Sequence, residues 1–362
     1  MDRFGRMRSA GGRGRGVCRP FAPGGRAGGL GNLQRRGAQL HSNGPCDSRS
    51  LDGPCRCRAC LAPGLCYPLT LRNPKDKPMK REDFKMFHRL RVRWVEVDLQ
   101  KIVFNGHYLM YFDTAMADYW RALALPYEQT MHALGGDLYV KKATVEYHAS
   151  ARYDDQLDVG LTCQRIGNSS IQFVGGIFCG DQLLITGELL YVYANPATQT
   201  SLPVPQSLRD IMLGFEAGEA VTTAQVGTWE QLQEAAQTVR TEVFVQEQGI
   251  APDDEWDAAD ASAVHAVLSN RYGVPMGTAR LLPSQEGVSY LGRMAVTRLM
   301  RGSGLGRQLL ELLVHTAQAR GDREVRLHAQ RSAEAFYRRQ GFVVHGEPFD
   351  EVGIAHIEMR RQ

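Results

Sequence analysis

The hexapeptide at residues 301–306 carries the clearest chemistry in the chain. It reads Arg301-Gly302-Ser303-Gly304-Leu305-Gly306 and lies between the apolar run Leu291–Val296 and the helix-patterned stretch Gln308–Ala319. A Gly-rich turn between a strand and a helix gathers backbone N–H groups at the positive end of the helix, and such a pocket suits a diphosphate. The glycines let the backbone approach an anion without a Cβ in the way. The pattern predicts a site for a nucleotide-like cofactor, although similar turns also precede helices with nothing bound.

A strand, a long helix and a meander make up the first patterned region. Alternating residues over His88–Val97 predict a half-buried strand, and apolar residues at helical spacing predict one long helix over Tyr108–Leu123. Four strand-like runs follow near 138–149, 155–166, 168–179 and 182–194, separated in part by the turns Gly167-Asn168 and Gly180-Asp181. This order fits an antiparallel sheet wrapped around a central helix.

A motif spans residues 93–109 of this region. It reads Arg93-Trp94-x-Glu96-Val97-Asp98-x3-Ile102-Val103-Phe104-Asn105-x-His107-Tyr108-Leu109. With Tyr153-Asp154-Asp155-x-Leu157 and the run 166–170, it resembles the hotdog thioesterases of the 4-hydroxybenzoyl-CoA type over about residues 86–205. The resemblance implies that Asp98 acts on a thioester as nucleophile or general base and that a backbone N–H near Asn105 polarises the carbonyl. It also implies a homo-oligomer formed through this domain.

A carboxylate just before a helix entrance suits thioester hydrolysis on physical grounds as well. The carboxylate can attack the carbonyl or activate water, and the helix N-terminus supplies donors for the developing oxyanion. Asp98 can alternatively cap a turn or the helix. Many relatives carry His where this chain has Asn105, and Asn cannot act as a base. Four nearby residues are interpreted without a catalytic role: His107 as packed or solvent-facing, Glu96 as a surface strand residue, and Asp113 and Asp118 as solvated helix positions.

The second patterned region alternates helices and strands, which indicates a mixed sheet flanked by helices. Helix periodicity covers Thr228–Val245, and strand patterns cover Val264–Leu268, Met276–Leu282, Gly287–Val296 and Glu324–Leu327. A helix from the Gly-rich turn to Arg320 and another over Ser332–Gln340 complete it, with strands near Phe342–His345 and Ile354–Met359.

Several motifs of this second region resemble those of the GNAT N-acetyltransferases. They are Gly277-Thr-Ala-Arg280-Leu281, Gly292-Arg293-Met294-Ala295-Val296, the 301–306 turn, Leu327-His-Ala-Gln330 and Phe336-Tyr337-x3-Gly341-Phe342. The resemblance implies that the turn binds the diphosphate of coenzyme A and that the backbone of Met294, Ala295 and Val296 grips the pantetheine. It implies that Tyr337 protonates the leaving thiolate, and a phenol suits that role because its pKa lies near that of a thiol. Tyr337 can alternatively be an aromatic residue packed under the last helix.

The sequence does not identify the base that deprotonates the amine. Glu255 is one candidate, but the preferred interpretation is that it is an acidic surface residue. His328 and His356 are as readily structural as functional. Many relatives have Asn at the place of Gln330, so one pantetheine contact is in doubt.

Residues 1–82 differ in composition from the rest, because Gly, Arg and Pro dominate and no hydrophobic period is sustained. Such a segment cannot bury enough apolar surface, so we expect a disordered leader or an over-extended start, with Met79 or Met86 as a natural beginning. Six cysteines lie there, at Cys18, Cys46, Cys55, Cys57, Cys60 and Cys66. Their spacing lacks the paired units of a zinc ribbon, and no metal is expected. Cys163 and Cys179 are interpreted as buried thiols of a reduced cytosolic protein.

The fold class expected is α+β: a hotdog domain over 83–216, a linker over 217–221 and a GNAT domain over 222–362. The predicted function is a bifunctional coenzyme A thioester enzyme, an acyl-CoA thioesterase joined to an N-acetyltransferase, in the cytoplasm. Acetyl-CoA is its cosubstrate, and the acceptor is a small-molecule or protein amine. The alternative is a CoA-sensing or regulatory binding protein in which one domain has lost turnover. The net charge of +4 is unevenly distributed along the sequence and gives no evidence of a nucleic-acid partner. The sequence contains no run of 18 apolar residues, so no membrane-spanning helix is expected.

Overall fold

The computed structural model describes residues 79–351 and 353–362. The six cysteines of the first segment, and with them the expectation that no metal binds there, lie outside the described residues. Cys163 and Cys179 are free thiols, the first buried and the second half-buried, and burial raises the pKa of the Cys163 thiol to about 12. Within the described part of the chain, no helix is both long and apolar enough to cross a membrane.

The first domain is a five-stranded antiparallel sheet with one long helix against it. Its strands are β1 (Phe87–Arg91), β2 (Asp137–Tyr147), β3 (Gln156–Ile166), β4 (Ser170–Cys179) and β5 (Gln182–Ala194). Its helices are α1 (Asn105–Ala122), α2 (Tyr127–Leu134) and α3 (Gln206–Ala217). The strands lie in the order β1-β3-β4-β5-β2, which leaves β1 and β2 at the edges. The predicted sheet around a central helix is confirmed.

Phe112 fixes the centre of α1 on this sheet. Gly175 of β4 pairs with Gly187 of β5, and the Phe112 ring lies over both. A Cβ added at Gly175 would come within 2.4 Å of Phe112 Cε1, and one at Gly187 within 2.5 Å of Cε2. The two glycines therefore form a socket that only this ring fills, because protein cores are packed without spare volume.

The strand predicted over His88–Val97 is too long. The structure ends β1 at Arg91 and turns the chain through a short 3-10 segment, Trp94–Glu96. Glu96 stabilises that turn because its side chain accepts a hydrogen bond from the Arg93 amide at 2.7 Å. The chain then reverses before it enters α1.

The second domain is an eight-stranded mixed sheet flanked by helices. Its strands are β6 (Thr222–Gly227), β7 (Val264–Asn270), β8 (Pro275–Leu281), β9 (Val288–Val296), β10 (Glu324–Gln330), β11 (Val343–Val344), β12 (Phe349–Glu351) and β13 (Ile354–Arg361). Its helices are α4 (Trp229–Arg240), α5 (Pro252–Glu255), α6 (Leu305–Ala319) and α7 (Glu334–Arg339). The order is β11-β13-β10-β9-β8-β7-β6, with β12 on β13. Only the pair β9–β10 is parallel among these described strands.

Helix α6 packs one apolar face on the centre of this sheet. Leu309, Leu310 and Leu313 are fully buried in a cluster with residues of β7–β10 and β13. Strand β6 was not predicted. The predicted linker 217–221 begins at Ala217, the last residue of α3, and ends at the residue before β6. The exact domain boundaries stay a prediction.

Candidate active sites

Asp98 lies in a tight turn at the tip of a short ribbon that leads into α1. Val97 bridges Val103, and the Asp98 amide donates to the Ile102 carbonyl oxygen at 2.9 Å. Oδ1 of Asp98 accepts a hydrogen bond from the Gln100 amide at 2.7 Å, so this oxygen does cap a turn. No hydrogen bond from the described residues reaches Oδ2, and the side chain is only half-buried. One carboxylate oxygen is therefore available for chemistry.

The N-terminus of α1 presents uncapped N–H groups. No side chain caps the helix, and the His107 amide donates to Phe104 at 2.9 Å. The Asn105 and Gly106 amides have no hydrogen-bond acceptor among the described residues. They lie at the positive end of the helix dipole, which favours a developing negative charge. Asn105 itself is exposed.

Glu96 is a buried residue, so its interpretation as a surface strand position is wrong. Its carboxylate is 2% exposed and accepts hydrogen bonds from Arg93 Nη2 at 2.6 Å and from Tyr111 Oη at 2.9 Å. Burial alone would raise the pKa of Glu96, but the hydrogen bonds from Arg93 and Tyr111 outweigh it and lower the pKa. Its backbone oxygen accepts from the Phe104 amide at 2.9 Å. Glu96 therefore ties the ribbon that carries Asp98 to helix α1.

Other polar residues of α1 have different surroundings. His107 is half-buried, and its Nδ1 atom is buried with no hydrogen-bond partner in the described chain. Asp113 is exposed, as predicted. Asp118 is not simply solvated, because it hydrogen-bonds His88 Nδ1 at 2.6 Å and pairs with Arg121. Neither aspartate lies at the helix entrance.

In the second domain, strands β9 and β10 part from each other. They pair from Glu324↔Val288 to Leu327↔Leu291, and no pairing continues beyond that point. On the other side of β9, the Thr297 amide donates to the Met276 carbonyl oxygen of β8 at 3.0 Å. Because backbone groups alternate in direction along a strand, those of Met294 and Val296 point away from β8 and into the gap. Ala295 directs its backbone toward β8 and cannot make the same contact.

The predicted Gly-rich loop follows this gap. Gly302 and Gly304 have φ angles of 84° and 89°, a left-handed conformation that favours glycine. No side chain caps α6, and the amides of Gly302, Gly304, Leu305 and Gly306 find no acceptor in the described chain. Ser303 instead bonds back, with its hydroxyl donating to Met300 at 2.6 Å. Such a row of free N–H groups at a helix start suits a diphosphate.

Arg301 is less free than the sequence indicates. Its two Nη atoms donate to the two carboxylate oxygens of Glu247, each at 2.7 Å, and its Nε donates to Val296 at 3.2 Å. The hydrogen bonds from Arg301 lower the pKa of Glu247. The neighbouring carboxylate therefore offsets the charge that Arg301 would offer to a diphosphate.

Tyr337 lines a cleft of about 340 Å³ where the two strands part. The residue is 9% exposed, and burial raises the pKa of its phenol to about 12. The Tyr337 ring contacts the rings of Phe336 and Phe342, and its Oη lies 3.7 Å from Met294 Sδ. Tyr337 is therefore also a packed aromatic residue, as the alternative interpretation predicted. A neutral phenol that lines the cleft can still donate a proton.

Glu255 is not a surface acid, and that interpretation is wrong. It is 2% exposed and bonds Arg240 Nε, while its Oε2 lies 3.3 Å from Arg293 Nε. Burial raises the pKa of Glu255 although these arginines favour its charged form. Arg293 has a φ of 49° and forms the bulge of β9 that faces the cleft. Glu255 therefore holds the bulge in place and is not free to act as a base.

Comparisons with known proteins distinguish the same two halves. A family model described as the thioesterase superfamily matches residues 100–192, and one described as the acetyltransferase (GNAT) domain matches residues 230–362. The uncharacterized N-acetyltransferase YjcF of Bacillus subtilis is 32% identical over 133 residues, 36% of this chain and 93% of that protein.

Two solved structures are similar to parts of the chain. The crystal structure of Escherichia coli ElaA is 27% identical and covers 39% of this chain and 99% of its own, with a TM-score of 0.36. Slr0204, a 1,4-dihydroxy-2-naphthoyl-CoA thioesterase from Synechocystis, is 19% identical, with a TM-score of 0.33. The match covers 35% of this chain and 94% of Slr0204. From the YjcF match, the chain belongs to the GNAT acetyltransferases through its second domain, and its first domain, a hotdog-like sheet and helix, is similar to the thioesterase superfamily over residues 100–192.

Proposed function

We propose that the protein is a bifunctional enzyme of coenzyme A thioesters. The first domain hydrolyses an acyl-CoA, and the second transfers an acetyl group from acetyl-CoA to a small-molecule or protein amine. One observation carries the proposal: each domain contains a helix whose first N–H groups are uncapped and a side chain of matching chemistry. Asp98 lies in the turn that leads into α1, and Tyr337 lines the cleft where β9 and β10 part.

In the hydrolytic reaction, the free oxygen of Asp98 attacks the thioester carbonyl carbon or takes a proton from the attacking water. The amides of Asn105 and Gly106 stabilise the negative charge that develops on the carbonyl oxygen. Asn105 acts here through its backbone, so its side chain is not required for the charge stabilisation. Glu96 keeps Asp98 and the helix entrance in register through Arg93 and Tyr111.

In the transfer reaction, the loop at 301–306 and the backbone of Met294 and Val296 supply the contacts for the diphosphate and the pantetheine arm. Tyr337 carries its proton at pH 7, because even the ordinary phenol pKa of about 10 lies well above that pH. It donates its proton to the sulfur as the carbon–sulfur bond breaks, and the amine nitrogen forms the new bond to the acetyl carbon.

A second copy of the chain is the proposed partner of the hotdog domain. Strand β2 is an unpaired edge of the sheet, and most of its residues are exposed. Large apolar side chains are exposed in the same domain, namely Trp94, Val95, Leu99, Phe104, Met110, Val140 and Tyr147. Exposed apolar groups and open sheet edges are typical of surfaces that pair with another chain.

Two observations favour a second candidate, a CoA-sensing protein in which one domain binds without turnover. Asn105 cannot act as a base, whereas many relatives carry His at this position. Gln330 is already engaged, because its Nε2 donates to Gln248 Oε1 at 3.1 Å. A thioesterase domain that binds acyl-CoA and never releases free thiol would support this candidate.

The test compares Asp98→Asn with Asp113→Asn in thiol-release assays on short, long and aromatic acyl-CoAs. Asp113 is an exposed acid of the same helix region and serves as the matched control. We expect Asp98→Asn to lose at least about 100-fold in kcat/KM and the control to lose nothing. Hydrolysis that survives in Asp98→Asn would contradict the assignment. A wild-type protein that binds acyl-CoA without hydrolysing it would favour the sensor.

A further inference from the structure

The proposed transfer leaves one proton unassigned. An alkyl amine is protonated at neutral pH, because an ammonium of the lysine type has a pKa of about 10.4. Its nitrogen cannot form a bond to the acetyl carbon until a base removes that proton. The titratable side chains that can accept a proton and line the cleft are Asp254, Glu255, His328, Glu351 and His356.

Two of these candidates are buried and already engaged. Glu255 is held by Arg240 and Arg293, as described above. His356 is 9% exposed, its Nδ1 hydrogen-bonds the Ile354 carbonyl oxygen at 2.8 Å, and its ring stacks on Phe349 with centroids 6.0 Å apart. Neither side chain is positioned to meet a substrate that enters from solvent.

His328 occupies the point where the two strands part. It follows Leu327, the last residue of β10 that pairs with β9, and its side chain is 41% exposed in the cleft. Its neighbours on β10, Leu327 and Ala329, are buried on the opposite face against α6, so strand alternation directs His328 away from the core.

The ring of His328 is held by groups from three other strands. Its Nδ1 lies 3.6 Å from Glu351 Oε2 of β12, and its Nε2 lies 3.8 Å from Glu358 Oε2 of β13. The rings of Tyr290 on β9 and Phe349 on β12 meet it edge-on, with centroids 5.8 Å and 4.9 Å away. These contacts from β9, β12 and β13 fix the position of the ring at the edge of the cleft.

The charges around this ring favour an ammonium. Glu358 is itself bound by His345 Nδ1 at 2.9 Å and by Arg326 Nη1 at 3.3 Å, so it mainly orients the ring. Glu351 is 45% exposed, and His328 is its only ion-pair partner in the described part of the chain. An exposed carboxylate with no other charged partner attracts a cationic group.

We infer that His328 is the general base of the transfer reaction and that the cleft wall formed by Tyr290, His328 and Glu351 receives a primary alkyl ammonium. This inference rests on the proposed acetyl transfer. His328 takes one N–H proton of the ammonium, and the freed electron pair of the nitrogen forms the carbon–nitrogen bond. The carbon–sulfur bond breaks, and the thiolate takes its proton from Tyr337. The tyrosinate then takes the second proton of the acylated nitrogen, which leaves a neutral amide, and His328 releases its proton to solvent. Imidazole suits this step because its unprotonated ring nitrogen can accept a proton.

The test uses two acceptors that differ in whether a base is needed. Benzylamine is protonated at neutral pH, whereas aniline is neutral there. For His328→Gln we expect a loss of about 100- to 10,000-fold in kcat/KM with benzylamine and a much smaller loss with aniline.

The matched control is His315→Gln. His315 is an exposed residue of α6 whose ring hydrogen-bonds only the Glu311 carbonyl oxygen and does not line the cleft, so its replacement should leave transfer to both acceptors unchanged. Acetyl-CoA affinity, measured by calorimetry, should be the same in wild type and His328→Gln, which shows that the variant is folded. Equal losses with both amines, or no loss with benzylamine, would overturn the base assignment. Wild-type protein that transfers acetyl to neither amine would overturn the proposed function as well.

Discussion

A buried network of charges underlies the acetyl-transfer cleft, and removal of one charge should be costly. Arg240, Arg280 and Arg293 are bonded to Glu255, Asp257 and Asp260, three cations and three anions whose charges cancel. The substitution Glu255→Gln keeps the size of the side chain and leaves the network with one excess positive charge. Arg240 is 1% exposed and cannot turn to water.

The expected cost follows from that burial. Loss of one partner of a buried ion pair destabilises a domain by about 3–5 kcal/mol, because the remaining charge stays desolvated. Trp256 and Trp229 offset part of it, since their rings lie 4.5 and 5.6 Å from the Arg240 guanidinium carbon, within reach of a cation–π interaction. We therefore expect the lower end of this range.

Native-state hydrogen exchange measures the effect in the second domain alone. The slowest amides of β7 and β8 report the global opening of that sheet, so a loss of about 3 kcal/mol should speed their exchange by roughly 100- to 200-fold. Glu234→Gln is the control, because Glu234 is an exposed residue of α4 and its loss should change stability by less than about 0.5 kcal/mol. The double change Glu255→Leu with Arg240→Met should be less harmful than Glu255→Gln. A Glu255→Gln variant as stable as the control would refute the reasoning.

Three further changes give results that can be checked one by one. Gly175→Ala should destabilise the first domain by about 1–3 kcal/mol in urea unfolding, since its Cβ would lie 2.4 Å from Phe112 Cε1; an unchanged midpoint would contradict the socket. Hydrogen bonds from Arg89 lower the pKa of Asp158, so the folded state binds fewer protons than the unfolded chain near pH 3–4. Stability should therefore fall as the pH drops below about 4, and the slope should be shallower in Asp158→Asn; equal slopes would refute it. In Gly304→Ala the added Cβ would have no atom within 4 Å, but the residue would have to adopt a φ of 89°. The resulting backbone strain of about 1–2 kcal/mol should weaken CoA binding, measured by calorimetry. An unchanged Kd would contradict the role of the loop.

Local patterns are sufficient where one face of an element is buried. Helix α6 was predictable because Leu309, Leu310 and Leu313 recur at helical spacing and all reach the core. The Gly-rich turn was predictable because its backbone angles require glycine at Gly302 and Gly304. Strand β6 was missed because it lies at the sheet edge with four of its six residues exposed and none buried, so it has no alternating apolar pattern.

The buried acids could not be predicted because their partners lie far along the chain. A single carboxylate in a polar stretch is normally a surface residue, since an unpaired charge is too costly to bury. Glu96 is buried only because Tyr111, 15 residues later, and Arg93 bond to it. Glu255 depends on Arg240, 15 residues earlier, and on Arg293, 38 residues later. The position of His328 between Glu351 and Glu358 likewise depends on the pairing of β10 with β13.

The most direct measurement tests whether the two domains catalyse two independent reactions of coenzyme A thioesters. Thiol release from acyl-CoA and acetyl transfer to an amine are measured side by side in Asp98→Asn and Tyr337→Phe. We expect Asp98→Asn to lose hydrolysis and keep transfer, and Tyr337→Phe to lose transfer and keep hydrolysis. A substitution that lowers both activities by the same factor, or a wild-type protein with neither activity, would contradict the assignment of two catalytic sites.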